Sequence, residues 1–187
     1  MIIDSIRGEY LRYKALAEAA MAQLSEAELI ARGADADNSI ATICWHVSGN
    51  LKSRFTDFLA SDGEKPWRDR DQEFVRRDVT RQALLEKWED GWRALLDALG
   101  TLADEQLMAT VTIRNQPFLV HDALHRSLAH TVYHVGQIVF AAKAMKGEAW
   151  QSLSIPPGKS AEFNARGGGS QSPEAHAEML RQRGLRP

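Results

Sequence analysis

Residues 121–146 read HDALHRSLAHTVYHVGQIVFAAKAMK. Leu124, Leu128, Val132, Val135 and Val139 recur at three- and four-residue intervals, the spacing of one face of an α-helix. Asp122, Arg126 and Lys146 mark the solvent side. No proline interrupts the run, and Gly147 follows it, so the spacing predicts one long helix closed by a glycine. The same stretch holds four of the six histidines, as the pairs His121/His125 and His130/His134. Residues four apart on a helix lie about 40° from each other, so both rings of a pair can reach one metal ion. The two pairs are offset by half a turn and cannot share an ion. Ala123, Ser127, Gln137 and Ala141 stand beside His130 and His134, and such small neighbours leave room for a pocket. The pair His121/His125 opens the helix next to a turn and reads as a surface contact. Periodicity by itself gives His130/His134 only a modest edge.

Three more segments carry the same period. In residues 2–24, Ile3, Ile6, Tyr10, Tyr13, Ala17, Ala20 and Leu24 make one stripe. Residues 39–60 place Ile40, Ile43, Val47, Leu51, Phe55 and Phe58 together, behind an Asn38 or Ser39 cap. Residues 79–99 carry Leu84, Leu85, Trp88, Trp92, Leu95, Leu96 and Leu99, capped by Asp78 or Thr80. Ser25 with Glu28 is a capping-box spacing for a short helix, and residues 33–38 read as a break. TVTIRNQPFLV, residues 110–120, is β-branched around Asn115 and Gln116 and predicts a small hairpin. The expected fold is all-α: a four-helix bundle with a β-hairpin before the last core helix and an irregular C-terminal tail, whose PEAHAEMLRQR can form one short helix.

Between the second and third helices runs DGEKPWRDRDQEF, residues 62–74, a charged connection broken by Pro66. Long connections in compact domains are often functional. A purely solvated loop would not use tryptophan, so Trp67 is expected to pack back on the helices.

Of the 187 residues, 44% are hydrophobic and 26% charged, which fits a folded globular chain and not a disordered one. Lys plus Arg is 23 and Asp plus Glu is 25, a formal net charge of −2. That balance speaks against nucleic acid as partner. One cysteine, Cys44, excludes an internal disulfide and a Cys-based zinc knuckle; it faces the apolar stripe and reads as an inert buried thiol. No run approaches a membrane span and the N-terminus lacks the pattern of a signal peptide, so the expected location is cytoplasmic. Nucleophile-elbow, phosphate-loop and dinucleotide signatures are absent; ARGGGS has glycines without the flanking strand or Lys-Ser/Thr.

The second helix supplies His46, set more than a quarter turn from its stripe, with Asn50, Arg54 and Asp57 on the same side. His46 with Asn50, followed by HTVYHVGQI at 130–138, resembles the DinB/YfiT-like superfamily of metal-binding four-helix bundles. The stretches CWHVSGNLKSRFTDFL, DGEKPWRDRDQEF and WQSLSIPPGKSAEFN look like an uncharacterised branch of it. The resemblance spans roughly residues 1–165 and leaves 166–187 as a separate tail. It implies a three-histidine site of His46, His130 and His134, with Gly136, Gln137 and Ile138 as the step that follows. It also implies a divalent ion, zinc or nickel first, and a homodimer, which the heavily aromatic stripes favour too. Some members resemble transferases that use a low-molecular-weight thiol.

Three neutral imidazoles leave one or two positions for water or a thiol on such an ion. Asn50 and Gln137 are the polar residues placed to orient the rings, and Arg54 is placed to hold a substrate carboxylate. A general base would come from Asp57, Glu73 or Glu9. Two functions follow: a metal-dependent transferase or hydrolase of a small molecule, or a non-catalytic metal-binding or stress-response bundle.

Overall fold

The structure is a computed structural model that describes residues 1–33, 38–165 and 172–185. It is mostly helical with one small hairpin. The elements run α1 (Ile2–Ala22), α2 (Glu26–Ile30), α3 (Ile40–Phe55), α4 (Arg81–Thr101), β1 (Thr110–Ile113), β2 (Gln116–Leu119), α5 (Val120–Lys146), α6 (Ser160–Ala165) and α7 (Pro173–Gln182). Among the described residues no helix is long and apolar enough to cross a membrane.

Side chains cap several of the helix starts. The Ser25 hydroxyl accepts from the Glu28 amide while the Glu28 carboxylate accepts from the Ser25 amide at 2.7 Å, the reciprocal box expected from the spacing. Ser39 accepts from Thr42 N at 3.1 Å and Thr80 from Ala83 N at 3.2 Å, each worth about 1 kcal/mol to its helix. Gly147, at φ +53°, closes α5. The second long helix is shorter than its stripe: α3 stops at Phe55, because Thr56 is extended and Asp57 takes φ +49°. Aspartate tolerates that left-handed backbone better than most residues, and the carbonyl of Asp57 then accepts the amides of Ala60 and Ser61.

The core lies between the four long helices. Tyr10, Trp88, Trp92, Leu51, Leu95, Leu124 and Ile138 are fully buried, and such residues contribute roughly 1.5–3 kcal/mol each. The Trp92 ring meets Tyr10 edge-on at 6.2 Å and Trp88 at 5.3 Å. Cys44 is buried beside Met21, Sγ to Sδ 3.5 Å, and burial pushes its thiol pKa up, so it is inert as expected. Packing of α3 on α4 is the most extensive contact, and it rests on Gly91: a Cβ there would stand 2.5 Å from Ser48 Cα.

One periodicity reading shifts. The buried face of α5 is Ala123, Leu124, Ser127, Thr131, Val135, Ile138 and Ala142, while Leu128, Val132 and Val139 are only half-buried. Two hydroxyl residues inside the face disguised its centre, and the helix is rotated toward its His130 side.

The hairpin pairs Thr110 with Leu119 and Ile113 with Gln116, turning at Arg114 and Asn115, both at positive φ (+55° and +58°). Such a turn matches strand twist, but an arginine there costs about 1–2 kcal/mol. Asp62 offsets this. Its carboxylate accepts the amides of Asn115 at 2.8 Å and Arg114 at 2.9 Å, and also that of Glu64 at 2.7 Å. Those amides, Asn115 first, hold its carboxyl below the ordinary range.

The 62–74 connection is pinned, but not by its tryptophan. Trp67 is 54% exposed, against expectation. The anchors are charged instead. Lys65 is buried, its ammonium donating to Ser61 Oγ at 2.6 Å, and Ser53 Oγ donates to Gly63 O at 2.7 Å. Arg68, 3% exposed, is buried against Glu73, at the end of a short 3-10 turn, Asp71–Phe74. A composition argument sees an aromatic as the packing residue, whereas buried hydrogen-bonded pairs can fasten a loop equally well.

The C-terminal segment holds more order than an irregular tail. Ser160–Ala165 is a short helix, and α7 packs along α1, with Pro173 set where Gly8 leaves space. The Ser172 hydroxyl caps α7 by accepting from Ala175 N at 3.2 Å. The break at 33–38 and the start of the 166–187 tail fall largely outside the described residues.

Candidate metal centre

His46 stands on α3, and His130 and His134 one turn apart on α5. Helix packing brings all three together. The Nε2 atoms of His46 and His134 each lie 3.2 Å from His130 Nε2. The edge between two nitrogens around a tetrahedral zinc, at Zn–N about 2.0–2.1 Å, is roughly 3.3 Å. Among the described residues these three are the cluster of His, Cys, Asp or Glu donors close enough to share an ion, with ligand atoms within 4.8 Å of one another. His121 and His125 are not in it. Their ring centres are 6.1 Å apart, His125 is exposed, and His121 Nδ1 faces Asp122 at 3.2 Å.

The outer nitrogens are held. His46 Nδ1 lies 2.8 Å from Glu73 Oε2, and His134 Nδ1 lies 2.8 Å from Gln137 Oε1. A carboxylate and an amide oxygen only accept, so the hydrogen-bond network assigns the proton of each ring to Nδ1. Both Nε2 lone pairs then point at His130 Nε2, which has at most one hydrogen to give. Without a cation that arrangement is repulsive; with one it is a donor set of the kind zinc takes. Gln137 is the residue at the outer nitrogen of His134. For His46 that partner is Glu73, and Asn50 lines the neighbouring cavity instead.

Glu73 reaches His46 from the 62–74 connection, not from a helix. It also accepts two hydrogen bonds from Arg68, Nε to Oε1 at 2.8 Å and Nη2 to Oε2 at 2.9 Å. Gly49 makes the seat: a Cβ there would lie 2.1 Å from Glu73 Oε1. Burial alone would raise the Glu73 pKa, but the bonds from His46 and Arg68 and the Arg68 charge outweigh it, and the carboxyl sits below its ordinary value. Its stability contribution is therefore full above about pH 4.3 and is lost as pH falls through that lowered value. Burial, then the neighbouring His134 and His46, then Arg68 and Arg54, hold the His130 pKa down to about 4. Burial also lowers His134, partly opposed by Gln137. Both rings are thus neutral, the ligating form, well into mild acid.

Glu73→Gln keeps the size of the side chain and removes its charge. Metal affinity should fall about 10- to 100-fold, the usual cost of losing such an outer partner. Competition with a chelator measures it; unchanged affinity would reduce Glu73 to a loop anchor.

A cavity of about 360 Å³ opens beside the cluster. His46 and His130 form part of its wall, with Asn50, Arg54 and Ser127. Neither Asp57 nor Glu9 lines it, and Glu73 is committed to His46 and Arg68, so no carboxylate among the described lining residues faces this space. Glu73 was legible only as one of several acids; its pairing with His46 spans 27 positions and has no local signal.

A family model described as "Protein of unknown function (DUF1572)" matches residues 1–159. No curated protein and no solved structure matches the chain.

Proposed function

The chain belongs to the DUF1572 family, and on that footing we propose that it is a divalent-metal protein of DinB-like, four-helix-bundle type, with His46, His130 and His134 as ligands and zinc or nickel as the ion. The observation that carries this reading is the convergence of three Nε2 atoms, two of them with their opposite nitrogens held by Glu73 and Gln137. An ion held by three histidines and open to the cavity supplies an acidified water or a bound thiolate as nucleophile. The chain's own residues keep His130 and His134 neutral, orient the rings of His46 and His134, and present the arginine-lined space to a substrate. The reaction that fits is transfer or hydrolysis on a small molecule, with a low-molecular-weight thiol as one candidate co-substrate. A non-catalytic metal-binding or stress-response bundle would need its coordination sphere closed by protein, and the adjoining cavity argues against that. The homodimer belongs to the same reading, supported by Tyr133 and Phe140 exposed on α5.

Titration of metal-free protein, purified without a histidine tag, should give one zinc per chain. Three imidazoles of ordinary pKa, about 6.5, would lose roughly 1,000-fold in affinity between pH 7.5 and 5.5 through proton competition, about tenfold each. Here His130 and His134 are already depressed, so the loss should be far smaller. No stoichiometric binding of zinc or nickel at pH 7.5 would end the proposal.

A further inference from the structure

The cavity beside the histidines has an unusual charge. Five arginines line it: Arg54, Arg68, Arg70, Arg114 and Arg126. No carboxylate among its described lining residues answers them. Behind the wall, Glu64 is shared by Arg54 at 3.1 Å and Arg114 at 2.8 Å, and Glu73 serves Arg68. Arg70 lies over the Phe74 ring at 4.9 Å, and its carboxylate partner among the described residues is Asp71, at 3.9 Å and on the surface. Five positive charges against three negative ones leave an excess of two, before any metal ion is added. Arg126 lies over the Phe118 ring at 5.6 Å, which holds it toward the cavity without neutralising it.

Beside the arginines and the polar Asn50, Gln116 and Ser127, part of the wall is apolar. Phe55, Phe58, Phe118 and Ile113 contribute it, from three different elements or their ends. Crowded guanidinium groups repel each other, and burial together with the charges of Arg68 and Arg114 already lowers the Arg54 pKa against the pull of Glu64. An anion relieves that repulsion and matches the planar forks two bonds at a time. A fully hydrated inorganic anion would leave the phenylalanines unused. A cationic or neutral ligand would leave the arginines uncompensated.

We propose that this cavity binds a small organic anion, a carboxylate or phosphate joined to an apolar group, with its charged end among the arginines and next to His46 and His130. The inference deepens the metal-centre reading and rests on it for its catalytic meaning: the anion would be the substrate, or its handle, beside the ion. The binding itself is a property of the cavity and can be measured apart from the metal.

Calorimetric titration with four probes tests it: benzoate, phenyl phosphate, benzyl alcohol and benzylammonium, each against zinc-free and zinc-loaded protein. At least one of the two anions should bind both forms at least tenfold more tightly than benzyl alcohol, and the ratio of benzoate to phenyl phosphate reports which anionic group is preferred. Benzylammonium should not bind. Added salt should weaken the anion, and Arg126→Gln, at an exposed position that does not endanger the fold, should weaken it about five- to tenfold. Equal binding of benzyl alcohol and the anions would overturn the proposal. So would anion binding confined to the zinc-loaded form and indifferent to Arg126→Gln, since the anion would then be a ligand of the ion alone. Zinc bound with no anion binding removes this inference and leaves the metal centre; anion binding without zinc binding does the reverse.

Discussion

Replacing His130 with alanine should abolish tight zinc binding while the protein stays folded. His130 Nε2 is the atom that both other rings approach, so its loss leaves two donors. Structural zinc sites with four ligands bind with about 10–16 kcal/mol, roughly 3–4 kcal/mol per ligand, so affinity should drop on the order of 100- to 1,000-fold. Stability of the metal-free chain should change little, by about 1 kcal/mol or less, because the ring is half-buried at the edge of the core and not within it. His125→Ala, on the exposed side of the same helix, is the control and should keep full zinc content. Metal analysis showing zinc lost from the His125 variant and kept in the His130 variant would mean that His121 and His125 hold the ion instead.

The largest loss of stability should come from Gly91→Ala. The added Cβ would meet Ser48 at 2.5 Å from Cα, 2.6 Å from the carbonyl oxygen and 2.7 Å from Oγ. Backbone cannot rotate out of the way as a side chain can, so α3 and α4 must separate where they pack most closely. Overpacking of this kind costs about 3 kcal/mol, against which the better helix propensity of alanine returns at most about 1. A chain of this length loses roughly 2–4 °C of Tm per kcal/mol, so the variant should melt about 4–12 °C lower. Gly100→Ala on the same helix has open space around its Cβ and should be neutral or slightly stabilising. Equal melting of both variants would show that the helix pair has slack at Ser48.

These two positions also mark what could be read without coordinates. The His130/His134 pair is a local pattern, and so are the helices that carry it, since three-and-four spacing and a capping serine act within one or two turns. Gly91 carries no such signal. It sits on the buried face of an amphipathic helix where glycine is unfavourable, and the approach of Ser48 explains it. Glu73 and Arg68 were visible as charges in a polar connection, yet what makes them matter is burial, which sequence-distant partners decide. The exposure of Trp67 has the same cause: an aromatic packs only if a surface is there to receive it. Ser127 and Thr131 lie inside the buried face of α5, so a hydropathy pattern placed its centre too far toward Leu128 and Val132.

Asp62 has a consequence for how a ligand arrives. Hairpin tips are ordinarily among the first parts of a protein to fray, and one that walls a cavity would normally behave as a flap. Here the two tip amides end on a carboxylate of another segment, and Gly63 N donates to Thr112 O at 2.7 Å one step further down. The wall formed by Ile113, Arg114, Gln116 and Phe118 is therefore set during folding. Little ordering entropy is left for a ligand to offset, so even a compact one with few atoms can bind with useful affinity. Association should proceed at the rate of diffusional encounter instead of waiting for a door to open, and the upper size of an accepted molecule is fixed by the span of that wall.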